Sequence, residues 1–257
     1  MSYGLQISAS GAATALYRQD VHANNLANLD SVGFKPDIPS QRPRAAAREE
    51  DGLGILPSDR LLERLGGGVL MNPNMIDFGQ GSLRPTGNPL DLAIDGDGFF
   101  VLQGPEGAGT NEVRFTRDGR FTRDARGRLV SATSGAPVLD TNDRPIVVAP
   151  GVPVTVDGEG TLRQAGAAVA RLRIVDVRDP GRVRKAGAGA FTAPAAAMGD
   201  AATGNVRQGS VEESGVSEIK SLMAVTGASR EVEANTSMIQ QHDRLMERAI
   251  NALGRVA

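Results

Sequence analysis

Residues 216–253 read VSEIKSLMAVTGASREVEANTSMIQQHDRLMERAINAL, and this stretch decides the architecture. Val225, Val232, Ile239, Met246 and Leu253 recur at every seventh place, and Ala228, Asn235, His242, Ala249 and Val256 fill the paired position. A seven-residue period held over several turns describes a helix whose seam winds left-handedly against a partner. The spacing predicts a helix from about Val216 to Leu253, roughly 55 Å long at 1.5 Å per residue. Ser214 or Ser217 can cap it, and Glu212, Glu213 and Glu218 suit its positive end. Asn235 and His242 sit on the seam, where polar residues cost stability but fix register. Gly227 is either a tolerated weak spot or a point of close approach by a neighbouring helix.

The other end of the chain repeats the theme. Leu5, Ala9, Ala12, Leu16, Gln19, Ala23 and Leu26 alternate steps of four and three, and their small members suit a close helix partner. Asn28, Gly33 and Pro36 supply stop signals, so a helix is expected from about Leu5 to Asn28, roughly 35 Å long. A small β domain cannot cover two helices of such length. Their seams must pack against each other, against neighbouring subunits, or both.

Between the helices the writing changes. From Pro36 to about Asn74, Pro39, Pro43 and the charged run from Arg44 to Asp51 suggest an exposed connector. Within it, Leu61, Leu62 and Leu65 could form one helical turn ended by Gly66, Gly67 and Gly68. From Met75 to Asn205 short apolar runs alternate with turns: Leu90 to Ile94, Phe99 to Leu102, Val113 to Thr116, Ile146 to Val148, Val152 to Val156 and Arg171 to Val177. Asp95-Gly96-Asp97-Gly98 and Asp118-Gly119 lie between such runs and read as hairpin turns. The expected fold class is α+β: long N- and C-terminal helices forming a coiled-coil-like helical domain, with an inserted, mainly antiparallel β domain. The expected divisions are 1–35 (first helix), 36–74 (connector), 75–205 (β domain) and 206–257 (last helix).

Composition narrows the function. The net charge is −2, so the basic excess of a nucleic-acid binder is missing. No apolar run approaches the roughly 20 residues that span a bilayer, and no polybasic run would hold a membrane surface. Met1 to Gln19 lack a basic start followed by an apolar core, so no ordinary secretory leader is expected. Cysteine is absent, which removes disulfides, thiolate catalysis and Cys-ligated metals.

Candidate chemical sites are few. His22 and His242 are the only histidines, and neither has a second ligand at metal spacing. Asp95-Gly96-Asp97-Gly98 lacks the remaining ligands and terminal Glu of a calcium loop, and a turn explains it better. Asp118 and Asp124 could be imagined as a catalytic pair, but Arg117, Arg120, Arg123 and Arg126 around them fit a solvated hairpin surface. No catalytic, cofactor-binding or metal residue is assigned, and no cofactor is expected.

Several segments together resemble one family. Asn24-Asn25-Leu26-Ala27-Asn28, three residues, then Gly33-Phe34-Lys35 resembles the N-terminal signature of the rod and hook proteins of the bacterial flagellum, with Ser31 where Thr is usual. Gln80-Gly81-Ser82-Leu83, then Asn88-Pro89-Leu90-Asp91-Leu92-Ala93-Ile94 with Gly96, Gly98, Phe99 and Phe100, is similar to the entry of that family's β domain. Thr116-Arg117-Asp118-Gly119 with Phe121 continues it. Gln208-Gly209-Ser210-Val211-Glu212-Glu213-Ser214 resembles the start of the terminal helix, with Gly215 in place of Asn. Arg230-Glu231-Val232-Glu233-Ala234-Asn235 follows, with Val232 where an aromatic is common. The resemblance implies a structural subunit of the basal-body rod, not an enzyme. It would be exported through the flagellar secretion channel and would polymerise into the periplasmic shaft that carries torque from motor to hook. Its partners would be itself, other rod subunits and the export apparatus, with neither nucleic acid nor membrane insertion. The working surfaces would be the seams: Leu5, Ala12, Leu16, Ala23 and Leu26 at the start, and Val225, Val232, Asn235, Ile239, Met246 and Leu253 at the end. The rival reading is a soluble binding module or dimeric adaptor whose β domain recognises a partner.

Overall fold

The computed structural model describes residues 3–45, 66–104 and 112–253. The Leu61, Leu62 and Leu65 turn lies outside the described residues. Two helices bound the chain: α1, Tyr3–Ala27, and α2, Glu218–Leu253. The chain divides into two compact units, one of residues 1–27, 37–75 and 217–257, the other of residues 28–36 and 76–216.

The expected fold class needs correction. The described residues hold two α-helices against nineteen short strands, distributed over seven small sheets. The unit that contains the helices is not helix alone, because strands Gln41–Pro43 and Val69–Met71 belong to it and pair antiparallel. The Val69 amide donates to the Ser10 hydroxyl of α1 at 3.3 Å, and Gly68 lies against Ser10 as well. A helix faced with alanine and serine buries little by itself, and a strand pair laid on it supplies further contact.

Within this unit α1 and α2 run antiparallel. Gly4 faces the His242 ring and Gly11 faces the Asn235 amide, where an added Cβ would come within 2.6 and 2.7 Å respectively. One heptad further, Arg18 reaches Glu231 at 2.8 Å. Each glycine therefore makes room for a polar side chain from the opposite helix. Ala15 and Ala228 are buried in the same pair. Gly227 has nothing within 4 Å of a would-be Cβ among the described residues.

The β unit is built on a six-stranded antiparallel sheet. Its order is Arg184–Gly187, Ala190–Pro194, Glu112–Thr116, Phe99–Leu102, Ile174–Val177, Met198–Ala201. Alternate residues of a strand point to opposite faces, and Phe99 and Phe100 show the consequence. Phe100 and Leu102 enter a core with Leu92, Ile94, Phe121, Leu129 and Ile146. Phe99 enters a second core with Phe115 and Phe191, where the rings meet edge-on or stacked.

The two Asp-Gly segments are not hairpin turns. Leu92–Asp95 pairs with Asn205–Gln208, while Phe99–Leu102 pairs elsewhere in the large sheet, so Asp95-Gly96-Asp97-Gly98 carries the chain between sheets. Gly96 and Gly98 have φ of 105° and 130°, and at Gly98 a Cβ would stand 2.5 Å from that of Ala202. A hairpin turn lies further on: Phe121–Arg123 pairs with Leu129–Ser131 around Asp124. The Asp124 carboxylate accepts from the Arg126 and Arg128 amides at 2.9 and 2.8 Å. Asp140 accepts likewise from Asn142 and Arg144, and Asp157 from Glu159 and Thr161. One turn chemistry thus recurs three times along the unit.

Candidate functional site

The seam residues divide by position. Val225, Val232, Asn235 and Ile239 are half-buried, on the face of α2 that also carries the Asn235 and His242 contacts with α1. On α1, Leu5, Ala12 and Leu26 are half-buried, whereas Leu16 and Ala23 are exposed. Met246 continues the α2 seam but is 52% exposed, because α1 begins opposite His242 and leaves the last turns uncovered. Leu253 closes α2, and its side chain lies outside the description.

The seven-residue count missed a second set. Ile219, Leu222, Met223, Met238 and Leu245 are exposed large apolar residues of α2 outside the seam positions. Ile250 is exposed beyond the end of α1. They follow no single helical spacing: Ile219, Leu222 and Met223 gather at the start of α2, and Met238 and Leu245 flank the seam, so the seven-residue period does not reveal them.

The signature residues converge on another feature. Asn25 is buried and clamps Asp37: its Nδ2 donates to the Asp37 carbonyl at 2.8 Å, and its Oδ1 accepts from the Asp37 amide at 3.0 Å. Asn24 and Ala27 are exposed, Leu26 and Asn28 half-buried. The Ser31 hydroxyl donates to the Asn28 side chain at 3.0 Å and tightens the chain where α1 has ended. Gly33 then adopts φ +66° with its Cα pressed on the Arg117–Asp118 peptide. Phe34 lies under the Lys185 ammonium, 4.3 Å from ring centre.

Lys35 is wholly buried, and its ammonium meets the Glu212 carboxylate at 2.6 Å and the Gly79 carbonyl at 2.8 Å. The second Glu212 oxygen accepts from Arg117 at 3.0 Å, and the first also accepts from the Gly81 amide at 2.9 Å. Arg117 further donates to the Ile94 and Gly96 carbonyls and lies over the Phe99 ring. Burial pushes the Lys35 ammonium below its ordinary pKa, and the neighbouring Glu212 charge opposes that shift. Three segments that carry the family resemblance therefore meet in one buried ion cluster: Gly33-Phe34-Lys35, Thr116-Arg117-Asp118-Gly119 and Gln208 to Ser214.

The readings of individual charges change accordingly. Glu212 does not serve the positive end of a helix. It closes the strand Ser210–Glu212, paired with Leu83–Pro85. Asp118 is buried and held by Arg120 and Thr133, where a solvated surface was expected, while Asp124 sits in its own turn with Arg128. The cleft lined by Asp30, Arg84 and Glu213 has its Glu213 carboxylate 3.0 Å from Arg84. No helix among the described residues is long and apolar enough to cross a membrane.

Comparison with known proteins agrees with these positions. Residues 5–35 match the model of the flagella basal body rod protein. Residues 93–164 match the flagellar hook protein FlgE/F/G D1 domain, and residues 207–252 the flagellar basal body rod FlgEFG protein C-terminal model. The chain is 32% identical to the flagellar basal-body rod protein FlgF of Caulobacter vibrioides, with all of both chains covered. It is 28% identical to FlgF of Mesorhizobium japonicum, with 99% of each chain covered. To FlgG of Buchnera aphidicola subsp. Schizaphis graminum it is 29% identical, covering 95% of this chain and 97% of that one. The likeness is thus to FlgF first, with FlgG next.

Proposed function

The chain belongs to the flagellar basal-body rod protein family, and from that premise we propose how it serves as a structural subunit of the rod. Subunits assemble with rod and hook relatives through the terminal helices. The α1–α2 seam holds the helix pair within one subunit, and the apolar side chains that α2 leaves exposed meet the next. The observation that carries this reading is the apolar area that α2 leaves exposed outside its seam, with Ile219 and Met223 at 72% and 70% exposure. A contact that repeats from one copy to the next without closing builds a helical shaft. Such a shaft, exported through the flagellar apparatus and standing in the periplasm, would carry torque to the hook. The relatives it matches are basal-body rod proteins, and we take the role to be structural and not enzymatic.

The test is assembly of the full chain against a variant truncated before Glu218, followed by electron microscopy and sedimentation at rising concentration. The full chain should form rod-like particles or co-assemble with rod partners, and the truncated chain should remain monomeric with its β unit intact. Truncated protein that still forms rods would end this reading. A full chain that stops at a discrete soluble dimer would favour a binding module instead.

A further inference from the structure

The strap of residues 28–36 and the segment of residues 210–215 lie side by side on the β unit, although they come from opposite ends of the chain. The Gly33 amide donates to the Glu212 carbonyl at 2.8 Å, and the Gly215 amide to the Phe34 carbonyl at 2.9 Å. Lys35 and Glu212, the buried ion pair between them, are 177 residues apart. In sequence, one segment follows α1 and the other precedes α2.

The cluster's charges weaken each of these dockings when the other is missing. A β unit lacking residues 210–215 would bring the Lys35 ammonium into a buried space already holding Arg117, with no Glu212 between them. Lys35 would then have the Gly79 carbonyl and the influence of the exposed Asp77. Two buried cations without their carboxylate are strongly unfavourable, since a buried charge must be paired to be tolerated. A β unit lacking the strap would leave Glu212 with Arg117 and the Gly81 amide, but without its 2.6 Å ammonium and without the Gly33 amide on its carbonyl.

We propose that Glu212 makes the docking of residues 28–36 and of residues 210–215 a single event, so that the two segments leading to the terminal helices settle together or not at all. A chain made from its N-terminus carries Lys35 long before Glu212, so its strap stays undocked until almost all of the β unit has followed. This device holds whatever the exposed side chains of α2 bind, and it goes beyond the rod assignment.

Hydrogen exchange of the full-length protein, read by mass spectrometry, tests the coupling in two variants. Glu212→Gln keeps the side chain's shape and its bond from the Gly81 amide while removing the charge. Phe34→Ala loosens the strap at a half-buried position outside the ion cluster. In both variants, amides of 28–36 and 210–215 should exchange faster together, by at least about tenfold, while the strands Phe99–Leu102 and Ala190–Pro194 stay protected. If Glu212→Gln unfolds the whole unit, the Phe34→Ala comparison decides alone. Faster exchange in one segment with the other unchanged overturns the proposal, as does an absence of response in both.

Discussion

Gly33 and Gly135 form a matched pair for a substitution test. Both belong to the β unit, and their φ angles are +66° and +68°. Alanine at either site carries the left-handed backbone penalty of roughly 1–2 kcal/mol. The surroundings differ. A Cβ on Gly135 meets nothing within 4 Å, whereas one on Gly33 would stand 2.5 Å from the Arg117 carbonyl carbon and 2.6 Å from the Asp118 nitrogen. Those atoms are backbone held beneath the buried ion cluster, so they cannot swing aside as a side-chain tip would. Overpacking of this kind adds about 1–3 kcal/mol. Gly33→Ala should therefore lower stability by about 2–5 kcal/mol and Gly135→Ala by about 1–2 kcal/mol. At about 2–4 °C per kcal/mol for a chain of this size, the gap in Tm is about 2–12 °C. Differential scanning calorimetry of the full chain, following the transition of the β unit, reads both variants on one scale. Equal losses would mean that the strap does not press on Arg117, and the account of the signature would fail with it.

Further outcomes follow from other positions. Leu245→Glu, at a side chain 60% exposed, should leave the monomer within about 0.5 kcal/mol of wild type while sharply reducing assembly by sedimentation. Gly227→Ala should raise the stability of α2 by about 1 kcal/mol, because the site is helical and open, and helix melting followed by circular dichroism would show it. The Asp157 carboxyl is held below its ordinary pKa, chiefly by the Thr161 amide, with smaller help from Glu159 against some desolvation. A depressed folded-state pKa gives stability present above the unfolded value near pH 4 and lost as pH falls through the folded one. Acid unfolding of Asp157→Asn should accordingly be less steep below about pH 4 than that of wild type, and an unchanged acid limb would count against the turn geometry.

The helices were legible because a seven-residue period survives many turns of noise, and their ends fell within a few residues of the stop and cap signals. The β unit was legible as strands but not as pairings. Asp-Gly between apolar runs signals a tight turn locally, yet Gly96 and Gly98 serve a crossing between sheets because residues 202–208 from the far end of the unit fill the place beside Leu92–Asp95. The connector also hid three strands among its described residues, Asp37–Ile38, Gln41–Pro43 and Val69–Met71, since segments this short alternate poorly and Gln41–Pro43 finds its partner in Val69–Met71 across the connector. The ion cluster was out of reach for another reason. Lys35, Arg117 and Glu212 each sit among residues that read as surface, and charged side chains are buried only when a partner is supplied from elsewhere in the chain. Resemblance marked Lys35 and the Glu212 segment, but nothing in either segment says that they touch.

The distribution of side-chain size along α2 carries the strongest argument about what the chain is for. A helix that ended its work inside one subunit would bury its largest apolar residues and leave alanine and serine to the solvent, since stabilisation rises with the apolar area removed from water. Here the order is reversed. Ala228 and Ser221 are buried, whereas Ile219, Met223, Leu245 and Ile250 are each at least 60% exposed. Small residues at the seam let α1 approach closely, with Gly4 and Gly11 seating His242 and Asn235, but they yield little hydrophobic energy for so long a contact. Among the described residues, the largest apolar side chains outside the seam stay exposed, which supports the proposed contact with a surface outside the chain. If neighbours cover that area, as proposed, the helices gain order on assembly, which is the behaviour a self-assembling shaft requires.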